Sequence, residues 1–338
     1  MPNTSSIRLL CALGIVALGC GLPFAAAADD GPALATFWRS FFARPEGPPP
    51  APADNPTTPA KIELGRILFE TPELSGDGRR SCRTCHDPDR AFTDGRAHAL
   101  ARDGSDLARN SPTLMNLAWA KSFMWDGRAD SLEAQVVMPL LDPREMAGSW
   151  PDIVAGLKRD VRLDVTFHTV FRERPAIQPN TVVAALAAYV RSLVSPRTRF
   201  DRWVDGDDAA LSTQELAGFG LFVGKAGCVA CHGTWRFTDD KFHDVGLADA
   251  DPGRGAVAGG VPGLPAFKTP SLRELDRTAP YMHDGSKATL EAVIDHYAGS
   301  NSAAATLVAR PSLDTSLVRD LRLSPEEKAA LTAFLRTL

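Results

Sequence analysis

Apolar positions recur at helical spacing along most of the chain. The segment TVVAALAAYVRSLV from Thr181 carries them on one broad face, with Asn180 or Thr181 placed to cap it. SPEEKAALTAFLRTL opens with Ser324, Pro325 and Glu327. That is a helix start: a hydroxyl takes an orphan N–H, proline lacks an N–H where none is needed, and a carboxylate reaches back. PAKIELGRILFE from Pro59 and STQELAGFGLFVGK from Ser212 read as two more helices. Period-two alternation is scarce, so the pattern predicts an all-α fold. Two stretches fall outside it. Leu9 to Phe24 is a short apolar run behind Arg8, and residues 29–55 are rich in proline (RPEGPPPAPADNP). The latter is too poor in periodic apolar residues to be a domain and reads as a leader. Its FWRSFF run is aromatic enough to dock on the body.

A long self-similarity lies within the helical part. SPTLMNLAWAKSFMWDGRADSLEAQVV from Ser111 matches TPSLRELDRTAPYMHDGSKATLEAVID, 158 positions later, without a gap. Pro112 falls on Pro270, Met124 on Met282, Asp126-Gly127 on Asp284-Gly285 and Leu132-Glu133-Ala134 on Leu290-Glu291-Ala292. A match of this length predicts an internal duplication. The two units are 56–200 and 201–338, joined through SPRTRFDRWVDGDDAA, after a segment 1–28 and the leader 29–55.

Each unit carries Cys-x-x-Cys-His: Cys82, Cys85 and His86, then Cys228, Cys231 and His232. Both motifs are followed by Phe-Thr-Asp. Two thiols at this spacing can form thioethers to the vinyl groups of a haem, with the adjacent imidazole under the iron. A redox dithiol would not need the histidine. A zinc site would draw on further cysteines, and these four are the only ones beyond residue 20. One zinc shared by both motifs would leave both histidines unexplained. The expectation is two covalently bound haem c groups in two cytochrome c-like domains.

The N-terminus agrees. Arg8, the apolar run and Ala25-Ala26-Ala27-Ala28 read as a cleaved signal peptide, residues 1–28. A membrane anchor is the weaker reading, because the run is short and broken by Gly14, Gly19, Gly21 and Pro23. Cys20 faintly resembles a lipoprotein site. Cleavage after Ala28 removes Cys11 and Cys20. Haem attachment and export both point to the periplasm, with no membrane span in the mature chain of ~310 residues. A net charge of −4 argues against nucleic acid as a partner.

The repeat register also bears on the axial ligands. His86 and His232 supply one side of each iron. Pro139 falls on Tyr297. Tyr297 can ligate through its phenolate oxygen, whereas Pro139 has nothing to offer. One haem would be closed and the other open. Met282, Met124, Met138 and Met146 remain candidate ligands, and His98 is a candidate for the first haem. His168, His243 and His296 read as structural or propionate-side residues.

Over residues 56–338 the chain resembles the bacterial dihaem cytochrome c peroxidases. The resemblance rests on LGRILFETPELSGDGRRSCRTCHDP, RNSPTLMNLAWAKSFMWDGRADSLEAQVVMPLLDPREM, GKAGCVACH and FKTPSLRELDRTAPYMHDGSKATLEAVIDHY. It implies a peroxidatic N-terminal haem and an electron-transferring C-terminal haem. It places Trp125 between the haems and Gln135 and Glu145 in the distal pocket. It also implies a calcium ion between the domains, held at Asn110, Thr278 and Pro280, the last through its carbonyl. Tyr297 in place of methionine, and the lack of a histidine near Arg102, resemble the MauG-like branch. A carboxylate over an open haem suits peroxide cleavage, since it can take a proton from one oxygen and return it to the other. Three functions follow. The first is reduction of hydrogen peroxide to water with electrons from a small cytochrome c or cupredoxin, passing through the C-terminal haem and Trp125. The second is peroxide-dependent oxidation of residues of a partner protein. The third is plain electron carriage.

Overall fold

The computed structural model describes residues 31–172, 176–247, 250–257, 264–299 and 321–338. The expected signal segment 1–28, with Cys11 and Cys20, lies outside them. Helix α1 (Gly31–Phe42) spans the end of a short N-terminal unit, which stops at Trp38, and the start of the body, Arg39–Leu338. The body is rich in helix and poor in sheet. Among the described residues its sheet is one antiparallel pair, β1 (Phe242–His243) against β2 (Phe267–Lys268).

Two crossed helix pairs organise the body. In the N-terminal half, α2 (Pro59–Glu70) crosses α6 (Pro179–Ser192). In the C-terminal half, α8 (Thr213–Val223) crosses the C-terminal helix, Pro325–Leu335. Both crossings pass over a glycine. A Cβ at Gly65 would lie 2.1 Å from the Ala185 carbonyl oxygen, and one at Gly218 would lie 2.0 Å from that of Ala330. Backbone oxygens held in a helix cannot step aside for a methyl group. Gly218→Ala is therefore expected to destabilise the fold by about 1–3 kcal/mol through overpacking. The measurement is a lower urea midpoint at unchanged slope; an unchanged midpoint would mean that the helices can part at little cost.

Local chemistry sets the helix starts. Ser324 and Glu327 cap each other's backbone at the C-terminal helix, as the sequence predicts, and Ser212 and Glu215 do the same at α8. At α6 the expectation was Asn180 or Thr181. The helix begins earlier, with Pro179 in its first turn and Gln178 as cap, and Thr181 returns a bond to the Gln178 N–H. Pro179 supplies a pre-set φ, which lets the helix start two residues ahead of its apolar stripe. Helix α3 (Leu132–Leu141) is capped by Ser131 and contains Pro139, and α9 (Leu290–Ala298) is capped by Thr289.

Local conformations recur at the sequence repeat. Asn116 and Glu274 are left-handed, at φ 62° and 64°, as are Met124 and Met282, at 67° and 73°. Short bridges join Phe123 to Ala129 and Tyr281 to Lys287.

The Pro-rich segment is more than a leader. Phe42 is fully buried, stacked on Phe237 at 4.8 Å and edge-on to Phe200 at 5.6 Å. Phe219, Phe222 and Phe334 complete this cluster. Arg44 pairs with the buried carboxylate of Asp201 at 2.8 Å.

Candidate active site

Each Cys-x-x-Cys-His turn sits on a short 3₁₀ segment following a crossed helix, and each faces a cavity. The smaller cavity, about 70 Å³, is lined by Cys82, Cys85 and His86 on one side and by Gln135, Pro139, Glu145 and Met146 on the other. Gln135 and Pro139 are one helical turn apart on α3. Past the helix end, the Met146 N–H donates to the Pro139 carbonyl at 3.2 Å, folding Glu145 back over the cavity. The structure thus brings Gln135, Pro139 and Glu145 together with Met146, one of the candidate ligands, and adds Arg80. Burial raises the Glu145 carboxyl above its ordinary range; Asp142 adds to this, and Arg128 and Arg144 oppose it. Arg80 is occupied by the Leu100 and Ala101 carbonyls at 2.7 and 2.6 Å.

The larger cavity, about 290 Å³, holds Cys228, Cys231, His232, Tyr297 and Met282. Burial pushes the Tyr297 hydroxyl well above the ordinary phenol range, and the Cys228 and Cys231 thiols add to it.

Both histidines keep one ring nitrogen available for a metal. His86 Nδ1–H donates to the Phe92 carbonyl at 2.9 Å, and His232 Nδ1–H to that of Phe237 at 2.8 Å. Burial holds both imidazoles neutral. With Nδ1 tied, Nε2 is the nitrogen left for a metal, the usual device for fixing a ligand's tautomer. Burial also pushes Cys82 and Cys228 up to about 12 and Cys85 up to about 11, the opposite of a nucleophilic dithiol. These residues fit a thioether-bound haem in each cavity. Phe92 and Phe237 went unassigned in the sequence, although the repeated Phe-Thr-Asp marked them. Both are left-handed, at φ 60° and 57°, a strained choice for an aromatic residue that turns its carbonyl towards the histidine.

Trp125 lines the larger cavity and not the smaller one. Its Nε1–H donates to the Asn110 carbonyl at 2.9 Å, and its ring lies 6.4 Å from His283, which stacks on Phe267 at 3.5 Å. Arg109 fixes this loop, binding Asp126 at 2.6 Å and Asp251 at 2.6 and 2.8 Å. Asn110, Thr278 and Pro280 also line the larger cavity. Asn110 Nδ2 donates to the Arg96 carbonyl at 2.7 Å and faces the Pro280 carbonyl at 3.5 Å. The oxygen-only set suits calcium, once the amide turns to present its oxygen.

The other candidates fall elsewhere. His98 lines neither cavity; its Nδ1–H donates to the Leu107 carbonyl at 2.9 Å. His168 lies 3.7 Å from Asp164 on α5 (Val161–Val170), and His296 Nε2–H donates to the Val245 carbonyl at 2.8 Å. His243 lines the larger cavity beside Asp239, at 3.0 Å. Met124 touches Gln135 Nε2 through its sulfur at 3.9 Å, and Met138 lines neither cavity. Arg102 lies 3.3 Å from Asp77.

Comparison with known proteins gives a consistent picture. A family model described as di-haem cytochrome c peroxidase matches residues 59–209. Methylamine utilization protein MauG of Methylorubrum extorquens is 44% identical over 94% of this chain and 92% of its own length. A cytochrome-c peroxidase of Denitromonas iodatirespirans is 34% identical, covering 100% of this chain and 94% of that protein. The crystal structure of a MauG-like protein associated with microbial copper homeostasis superposes with a TM-score of 0.79 at 34% identity, over 87% of this chain and 93% of that one.

Proposed function

This chain belongs to the dihaem cytochrome c peroxidase family, in its MauG-like branch, and from that premise we propose that it reduces hydrogen peroxide to water, drawing two electrons and two protons per molecule. The convergence of Gln135, Pro139 and Glu145 on the His86 cavity carries this reading. When bound, the two haems supply the redox chemistry. Glu145 takes a proton from one peroxide oxygen and returns it to the other, which leaves as water. Gln135 orients the peroxide through its amide. Pro139 keeps the face opposite His86 free of a ligating side chain on α3. Trp125 passes electrons between the two cavities, and His232 and Tyr297 are the residues that would hold the second iron. A small cytochrome c or cupredoxin is the electron donor. The two halves, 56–200 and 201–338, are products of a duplication; the recurring left-handed positions and bridges support this. Residues 1–28 direct the chain to the periplasm. No helix among the described residues is long and apolar enough to cross a membrane.

Steady-state peroxide turnover with a reduced cytochrome tests the proposal. In the resting protein one haem should be high-spin, and Met146→Leu should leave that spectrum unchanged. Two bis-ligated haems at rest would overturn the open site. A second reading, oxidation of residues of a partner protein, draws on the 44% identity to a protein named MauG. Peroxide consumption that requires a partner protein and leaves an oxidative mass shift on it would favour that reading.

We place calcium at Asn110, Thr278 and Pro280. Adding calcium to chelator-treated protein should then raise the melting temperature, with the gain growing with concentration as binding linkage requires. A melting temperature indifferent to calcium would remove the ion and leave the haem sites intact.

A further inference from the structure

Among the described residues lining the larger cavity, Lys268, on β2, is the only Lys, Arg, Asp or Glu. Burial pulls its ammonium down to about 8. The carboxylate acting on it is Asp240, which is engaged by Arg236. Nζ donates to the Ser122 carbonyl at 2.6 Å. An ammonium has three donors, so two remain for another acceptor. A buried cation in a mostly apolar cavity is costly unless an anion completes it. The backbone ties the same residue to the neighbouring loop, because the Lys268 N–H donates to the Trp125 carbonyl at 2.8 Å. Ser122 belongs to that loop too. A haem brings two carboxylates on one edge, and the described lining of this cavity offers them Lys268 as its charged partner.

We propose that Lys268 is a positioning residue that holds a propionate carboxylate of the C-terminal haem and fixes that edge of the haem to the loop carrying Trp125. The assignment rests on the dihaem reading, but not on which peroxide reaction the protein performs. A cation beside the haem edge favours the reduced, electron-richer state. Its removal should therefore lower the potential of that haem.

The test uses the full chain with its haems attached, counted by pyridine haemochrome and intact mass. A wild-type chain carrying fewer than two haems would sink the dihaem reading itself. In Lys268→Met with both haems present, the propionate-bending band in the resonance Raman spectrum should shift. The one-electron reduction equilibrium of the C-terminal haem should move about tenfold towards the oxidised form, or 59 mV. Lys268→Arg should restore both. If Lys268→Met does not mature, Lys268→Gln is read in the same way, since it keeps a donor for Ser122 and removes the charge. An unchanged band and potential at full haem content would overturn the assignment, whatever happens to stability. Lys268 would then serve only to tie the Ser122 loop.

Discussion

Glu145→Gln is expected to lower peroxide turnover about 10²–10⁴-fold, the usual share of general acid–base catalysis. Glu145 is the carboxylate among the described residues lining the smaller cavity, and glutamine keeps its shape while removing its ability to take a proton. The pH profile supplies a second signature. Burial, seconded by Asp142, raises the Glu145 carboxyl, so its base form fills in at higher pH than an ordinary glutamate's. Wild-type activity should rise with pH along a limb displaced upwards from the usual carboxylate range, and the variant should lose that limb. Stability runs the other way. A carboxyl raised on folding stabilises the fold below its unfolded pKa, and that contribution is lost as pH rises through the folded value. At neutral pH the buried charge is a cost, so the variant should unfold no earlier than wild type in urea. Loss of turnover with intact folding separates chemistry from structure. Near-normal turnover would move the proton to Gln135 or to a water molecule.

Tyr297→Phe should produce the largest spectroscopic change. A phenolate is a hard anionic ligand and favours Fe(III), whereas a thioether favours Fe(II). Without its oxygen, the second haem should lose its low-spin signature. Its one-electron equilibrium should move at least about tenfold towards the reduced form, about 59 mV. The competing ligand is Met282, which lines the same cavity. Met282→Leu should leave the spectrum and potential alone. The reverse pattern, with Tyr297→Phe silent and Met282→Leu altered, would make Tyr297 a cavity-wall aromatic and Met282 the ligand.

What could be read from the sequence was what side-chain identity and short spacing encode. The thiol–imidazole turns are contiguous. Gln135 and Glu145 were placed by the resemblance to the dihaem peroxidases; Gln135 and Pro139 lie one helical turn apart and Glu145 follows within a tight turn, so their meeting involves short separations along the chain. Ser324 and Glu327 signalled their helix directly. The missing parts are of another kind. The carbonyls of Phe92 and Phe237 orient the histidines, and a carbonyl acceptor leaves no mark in residue type. Lys268 owes its setting to Ser122 and Trp125, which only tertiary packing brings near. Trp125 lines the C-terminal cavity, and which cavity it lines is a matter of loop orientation that the WDGR motif does not specify.

Phe42 has a consequence for how the chain is made. The slot it fills is built by Phe200, Phe219, Phe237 and Phe334, the last of these near the opposite end of the chain. Synthesis is vectorial, so Phe42 emerges early and must wait for the final helix before it can seat. Its ring then backs Phe237, the residue whose carbonyl aims His232. Phe42 and Phe334 thus bring both ends of the chain to the ring that backs the second Cys-x-x-Cys-His turn. A shortened version starting at Pro59, where the family match begins, would carry every haem ligand and still lack this clasp.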